Sequence, residues 1–225
     1  MSQRKQQPAA LERVMHDPVS RRKFLALAGG GGAASFSLLL AACGSDDGTT
    51  SESTMAPNGG PAGTEQFGKG DVGILNYALT LEYLETAFYR DVVKSGLFKG
   101  SDLETIRTFG DQEAEHVAAL TAAVKQAGAK PAPKPKTRFP LDSAGSVLKL
   151  AATVENVGAA AYLGQAANIQ SPDVLASALA IHSVEARHAS ALNTLLGDSI
   201  TPDGAFAKPA DAEAVLQSVK PYIVG

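Results

Sequence analysis

From Asp71 onward the apolar positions fall three and four residues apart, the spacing of helices that bury one face. The first run, 71–95, sets Leu75, Ala78, Leu79, Thr86 and Tyr89 on one stripe, with Asp71 expected to cap its start and Gly96 its end. The second opens on Ser101-Asp102-Leu103-Glu104, a capping-box pattern, carries the stripe Ile106, Phe109, Val117, Leu120 and Val124, and stops near Gly128. Lys130-Pro131-Ala132-Pro133-Lys134-Pro135 must then be extended. A third helix is expected from about Asp142 to Asn168, and a fourth from Ser171-Pro172 to just before Gly197. A short helix over 211–219 is expected to lie across the bundle end. The pattern predicts an all-α fold: a four-helix bundle over 70–199 made of two helical hairpins with a long crossover, and a C-terminal segment, 200–225, packed on it. The crossover, 129–141, can span about 40 Å, a bundle length.

Polar residues interrupt these apolar stripes, and they do so twice in the same way. Ala78-Leu-Thr-Leu-Glu82 followed by Tyr89 matches Ala151-Ala-Thr-Val-Glu155 followed by Tyr162. Glu113-Ala-Glu-His116 matches Glu185-Ala-Arg-His188, at a separation that differs from the first by a single position. Such a repeat indicates a duplicated hairpin. Residues three apart share a helix face, so each Glu-x-x-His presents an oxygen and a nitrogen side by side. Glu82 lies 14 residues before Gly96 and Glu113 lies 12 after Ser101, so both stand roughly 18–21 Å from the turn between them. Glu155 and Glu185, each 13 residues from Asn168 and Pro172 respectively, stand about 20 Å from theirs. Folding the hairpins and packing them together gathers four glutamates and two histidines at one level.

Four carboxylates in an apolar interior repel one another and each loses hydration worth about several kcal/mol. Two divalent cations bring four positive charges, which balance four carboxylates and two neutral imidazoles. Oxygen with a little nitrogen suits iron or manganese, and thiolates of the kind structural zinc sites use are missing. The expected cofactor is a pair of metal ions, iron ahead of manganese, held by Glu82, Glu113, His116, Glu155, Glu185 and His188. Glu85, three residues after Glu82, competes for the ligand role, but its repeat counterpart is Gly158, so it reads as a supporting or surface carboxylate. Tyr89 and Tyr162 are expected to hydrogen-bond ligand carboxylates from neighbouring helices. His182 is expected to be structural, and Asp111 and Glu115 to face solvent.

One Glu on each of two helices, with Glu-x-x-His on the other two, resembles the ferritin-like di-iron carboxylate proteins. The Tyr seven residues after each lone Glu is similar to bacterioferritin-type sites. The phrasing Leu81-Glu-Tyr-Leu-Glu85-Thr-Ala-Phe-Tyr89 resembles a subgroup of exported ferritin-like proteins linked by name to plant desiccation-associated proteins. The resemblance covers roughly residues 70–197. It implies the six ligands above, with Glu113 and Glu155 among the candidates to bridge.

The first seventy residues are of another kind. Arg21-Arg22 precede a glycine-rich apolar run, Phe24 to Ala42, that closes on Leu40-Ala41-Ala42-Cys43. A basic flank, a weakly hydrophobic core and a small-residue cleavage site make residues 1–42 a signal peptide. The arginine pair resembles the twin-arginine export signal, and Leu-Ala-Ala-Cys resembles a bacterial lipobox. That resemblance implies cleavage before Cys43 and a lipid on its thiol. The alternative is an uncleaved signal anchor, weakened by four consecutive glycines. Residues 43–69, rich in Gly, Ser, Thr, Asp and Pro, read as a flexible tether.

Composition narrows the function. The 225 residues carry a formal net charge of −3 and a single cysteine, which leaves no internal disulfide. The first 23 residues hold six Lys or Arg against two acids, so the remainder is acidic, and nucleic acid is not an expected partner. The expected location is the extracytoplasmic side of a bacterial cell envelope, with the membrane as partner through the lipid on Cys43. Dioxygen or peroxide, and a second copy of the chain in a homodimer, complete the expected partners. Two functions follow: a ferroxidase, peroxidase or oxidase using the metal pair, or a metal-binding, stress-protective envelope protein without turnover.

Overall fold

The computed structural model describes residues 63–224 of the chain. Arg21, Arg22 and Cys43, and with them the export, lipidation and cleavage expectations, lie outside the described residues. Within them stand four long helices: α1 (Gly70–Ser95), α2 (Gly100–Gln126), α3 (Ala144–Gln165) and α4 (Pro172–Leu196). A fifth, α5, is short (Ala212–Val219). α1 packs along α2 and α3 along α4, two hairpins whose turns hold only a few residues. The fold is the all-α bundle that the apolar periodicity implies.

The helix ends follow local chemistry, with two departures from the sequence reading. Ser143 caps α3, its side chain accepting from Ser146 N–H in a capping box, and Ser171 caps α4, with Pro172 in the first turn. Asp71, however, does not cap α1. It sits inside the first turn, and its carboxylate accepts N–H bonds from Gln170 (2.9 Å) and Ser171 (2.8 Å), tying the start of α1 to the start of α4. The Ser101–Glu104 capping box is not formed either. α2 begins one residue earlier, at Gly100, with Lys99 in the cap position and no side-chain cap bond.

Two apolar clusters fill the bundle, one at each end. Phe88, Val92, Phe98, Ile106, Phe109 and Leu192 belong to the first. Leu75, Leu79, Leu120, Val124, Tyr162 and Ile181 belong to the second. Burying side chains such as Phe88 and Leu79, both at 0% exposure, stabilises the fold by about 1.5–3 kcal/mol each. The acidic residues lie between the clusters. α5 does not cross the bundle end: Ala212, Val215 and Val219 pack on Tyr77, Leu81, Leu84 and Ala161, along the side formed by α1 and α3.

Residues 63–69, which composition assigns to the tether, are part of the folded unit. A 3-10 turn at Glu65–Phe67 brings the Phe67 ring to 5.9 Å from that of Tyr77, and Thr64 is buried. Gly73 makes this approach possible, because a Cβ there would stand 2.4 Å from the Gly68 carbonyl oxygen. The crossover is extended and anchored at both ends. Asn76 donates to the Lys130 carbonyl and accepts from Ala132 N–H, while Arg138 N–H donates to Tyr222 O and Val224 N–H to Lys136 O. Among the described residues no helix is long and apolar enough to cross a membrane.

Candidate metal centre

Each lone glutamate sits mid-helix on α1 or α3, and each Glu-x-x-His mid-helix on α2 or α4. The equal heights expected from the turns are realised. Glu82, Glu113, Glu155 and Glu185 are all 0% exposed, so water cannot solvate them, and His116 and His188 are buried beside them. His116 Nδ1 lies 2.8 Å from Glu113 Oε2, 3.1 Å from Glu185 Oε1 and 3.3 Å from Glu82 Oε2. His188 Nδ1 lies 2.9 Å from Glu113 Oε1 and 3.3 Å from Glu155 Oε2.

The donors form two groups, each with its ligand atoms within 4.8 Å of one another. One is Glu82, Glu113, His116 and Glu185; the other is Glu113, Glu155, Glu185 and His188. Glu113 and Glu185, the two acids of the Glu-x-x-His motifs, belong to both. Of the two named candidates to bridge, Glu113 belongs to both groups and Glu155 to one. The physical reason is placement, since α2 and α4 each supply an acid and an imidazole one turn apart.

Several of the donor atoms have no hydrogen-bond partner, as ligand atoms directed at cations would. Glu113 Oε1, Glu155 Oε2, both oxygens of Glu185 and Nδ1 of His188 are buried without a hydrogen bond, although several approach one another within about 3 Å. One N–H cannot serve three carboxylates at His116, whereas a cation can. On the far side of His188, Nε2 is 2.6 Å from Gln112 Oε1. An amide oxygen only accepts, so the ring proton sits on Nε2 and the Nδ1 lone pair faces the centre. Phe109 stacks on the same imidazole at 4.0 Å and holds its plane. The phenols cross between halves: Tyr89 on α1 donates to Glu155 on α3, and Tyr162 on α3 donates to Glu82 on α1 at 2.5 Å. The residues fit a pair of divalent ions.

Without cations the acids and imidazoles must neutralise each other, and the titration directions show it. Burial alone would lower both histidines. The adjacent carboxylates of Glu113, Glu185 and Glu82 nevertheless push His116 up to about 12, and those of Glu113 and Glu155 push His188 up to about 9. Burial raises Glu82 to about 7 against the pull of His116, and raises Glu185 well above the carboxylate range, with Glu82 adding to it. Glu113 goes the other way. Its desolvation is outweighed by both imidazoles, which hold it down to about 2.

Glu85 is not a surface group. It is 2% exposed, and a Cβ on Gly158 would stand 2.8 Å from Glu85 Oε1 and 3.4 Å from Glu185 Oε2. The glycine that argued against Glu85 as a repeated ligand is what leaves room for its carboxyl. Burial, and then the charges of Glu185, Glu82, Glu113 and Glu155, push Glu85 well above the carboxylate range.

The sequence model of the ferritin-like domain matches residues 70–198, the span that carries all four long helices and all six donors. This is a member of the ferritin-like family. Among curated proteins the sequence finds no match. In the ferritin-like bundle the outlying histidine, His182, takes its contact from the Ala159 carbonyl, 2.9 Å from Nδ1, and stands apart from the donors. Asp111 and Glu115 are exposed. The residue that sequence reasoning missed is Gln112. Its counterpart beside Glu185 is Val184, so the repeat carries no sign of it, and only its place next to Glu113 could have drawn notice.

Proposed function

We propose that this chain is an exported lipoprotein whose ferritin-like bundle holds two metal ions, iron ahead of manganese, and reduces dioxygen or peroxide with them. The observation that carries the reading is the pair of overlapping four-donor groups, sharing Glu113 and Glu185, in a site that water does not reach. Glu82, Glu113, His116, Glu155, Glu185 and His188 would hold the two ions, which as ferrous iron would supply one electron each, with two protons from solvent, to a two-electron reduction of dioxygen or peroxide. Gln112 keeps the proton of His188 on Nε2, and Tyr162 and Tyr89 orient the carboxylates of Glu82 and Glu155. Glu85 lies buried beside Gly158, and in the metal-free protein burial and the charges of the neighbouring acids push its carboxyl well above the usual range.

The export and lipid parts of the proposal rest on Arg21-Arg22 and Leu40-Ala41-Ala42-Cys43. They put the bundle outside the cytoplasmic membrane, tethered through Cys43. Mass spectrometry of the natively produced chain tests this half: a lipidated N-terminal Cys43 is expected, and an intact N-terminus overturns it. For the redox half, the protein is loaded with two equivalents of ferrous iron under anaerobic conditions and mixed with dioxygen or peroxide. Consumption matched to iron oxidation is the expected result. Stoichiometric metal with no consumption of either oxidant leaves a metal-binding protein without turnover.

A further inference from the structure

A cavity of about 370 Å³ lies where α1 and α4 begin and α2 and α3 end. The internal repeat shows how it arises. With Glu82 laid on Glu155, Ala161 stands in the place of Phe88, and with Glu113 laid on Glu185, Ala178 and Ile181 stand in the places of Ile106 and Phe109. Phe88, Ile106 and Phe109 close the opposite end as part of one apolar cluster. Their smaller counterparts leave room here for a pocket that opens partly to solvent.

The walls of the cavity have a definite chemistry. Leu75, Ala78, Leu120, Val174 and Ile181 make it apolar, and no Lys, Arg or His is among the residues that line it. Asp71 and Asp173 also line it, so an anion finds no counter-charge and meets acids instead. Tyr162 is on one wall, its hydroxyl donating to Glu82 of the metal centre. Tyr77 is on another, 1% exposed, and its hydroxyl has no hydrogen-bond partner. A buried phenol left unpaired is unfavourable, and a guest oxygen that reaches it as the ring shifts would satisfy it. The repeat counterpart of Tyr77 is Leu150, so this hydroxyl occurs on the open side alone.

We propose that the cavity binds a neutral, mostly apolar small molecule bearing one hydroxyl or carbonyl, its oxygen bonded to Tyr77 and its body against Tyr162. The volume falls in the lower part of the range of small-ligand sites, and mostly apolar walls with a few polar groups are their pattern. The inference deepens the reading above by naming the substrate class. It rests on that reading for the word substrate, since the binding site itself needs no metal.

The test uses the full chain and three probes: 2-naphthol, naphthalene and 2-naphthoate. The chain contains no Trp, so naphthyl fluorescence can be followed with little protein background. One saturable 2-naphthol site is expected, with 2-naphthoate at least about tenfold weaker because of its charge. Tyr77→Phe should weaken 2-naphthol about five- to tenfold, the loss of one net hydrogen bond, and leave naphthalene unchanged. Ala178→Ile, which installs the residue of the other half, should weaken both neutral probes at least tenfold while the protein still binds its Co2+. Absence of saturable 2-naphthol binding overturns the proposal, as does equal binding of the anion, or a Tyr77→Phe effect equal for both neutral probes. Two Co2+ bound with no 2-naphthol site sinks the cavity and spares the metal centre; 2-naphthol bound with no Co2+ does the reverse.

Discussion

Replacing Gln112 with leucine removes the acceptor that fixes His188. In the native chain the Nε2–H of His188 reaches Gln112 Oε1 at 2.6 Å, and the imidazole is almost wholly enclosed. Leucine keeps the bulk and removes the oxygen, so the ring loses the bond that holds both its proton and its orientation. Loss of such a supporting partner weakens metal binding by about 10- to 100-fold, or about 1.4–2.7 kcal/mol. The structure makes the effect lopsided. His188 belongs only to the group with Glu113, Glu155 and Glu185, while the other group takes its nitrogen from His116. Titration of the metal-free protein with Co2+ against a chelating dye should therefore show one ion weakened by that factor and one held as before. Gln112→Glu, which keeps an acceptor and adds charge, should bind both ions at least as tightly as the native chain. If leucine leaves both ions untouched, or weakens the two equally, the assignment of His188 to a single ion through its Nδ1 is wrong.

Removing both ions should make stability fall as pH rises. His188, raised to about 9, favours the folded state fully below 6.5 and loses that contribution as pH climbs through about 9; Glu82, raised to about 7, behaves alike from 4.5 upward. Glu113, held down to about 2, acts in the opposite sense, but its contribution is already complete above 4.5. The Tm of metal-free protein should thus drop between about pH 5 and about pH 9, with Mn2+ restoring more of it at the alkaline end, because ligands must shed protons to bind; a flat or rising Tm without metal counts against the buried charges. Glu113→Ala should cost both ions and Glu155→Ala only one, read by metal analysis after gel filtration, and equal losses from the two would break the sharing of Glu113. Leu79→Ala, at a position with 0% exposure in the second cluster, should destabilise by about 2–5 kcal/mol in chemical denaturation, and a change under about 1 kcal/mol would show that the cluster is looser than described.

The fold and the donors were legible because the same physical conflict appears twice. Acids on apolar faces stand out against alanine-rich helices, and the match of Glu82 to Glu155 and of Glu113 to Glu185 puts them in register without any knowledge of side-chain contacts. What escaped depends on depth and direction. Gln112 gives no sign in the sequence, and Glu85 reads there as either a supporting or a surface carboxylate; neither has a polar counterpart in the repeat, yet both face inward, because Gly158 yields space to Glu85 and His188 offers a donor to Gln112. The caps at Asp71 and Ser101 misled for a related reason. Cap motifs are local, whereas Asp71 is claimed by amides of Gln170 and Ser171 from the distant start of α4. Small residues at 161 and 178 gave no sign of a cavity until their partners across the repeat were seen packed.

Each hairpin owns three of the four donors of one group and borrows the fourth from its mate: Glu185 completes the group of the first hairpin, and Glu113 that of the second. An ion bound there would act as a further rivet between two half-molecules that already share both apolar clusters. A chain severed within 130–141 should still reunite around its cations, and its halves should part more readily when a chelator takes them.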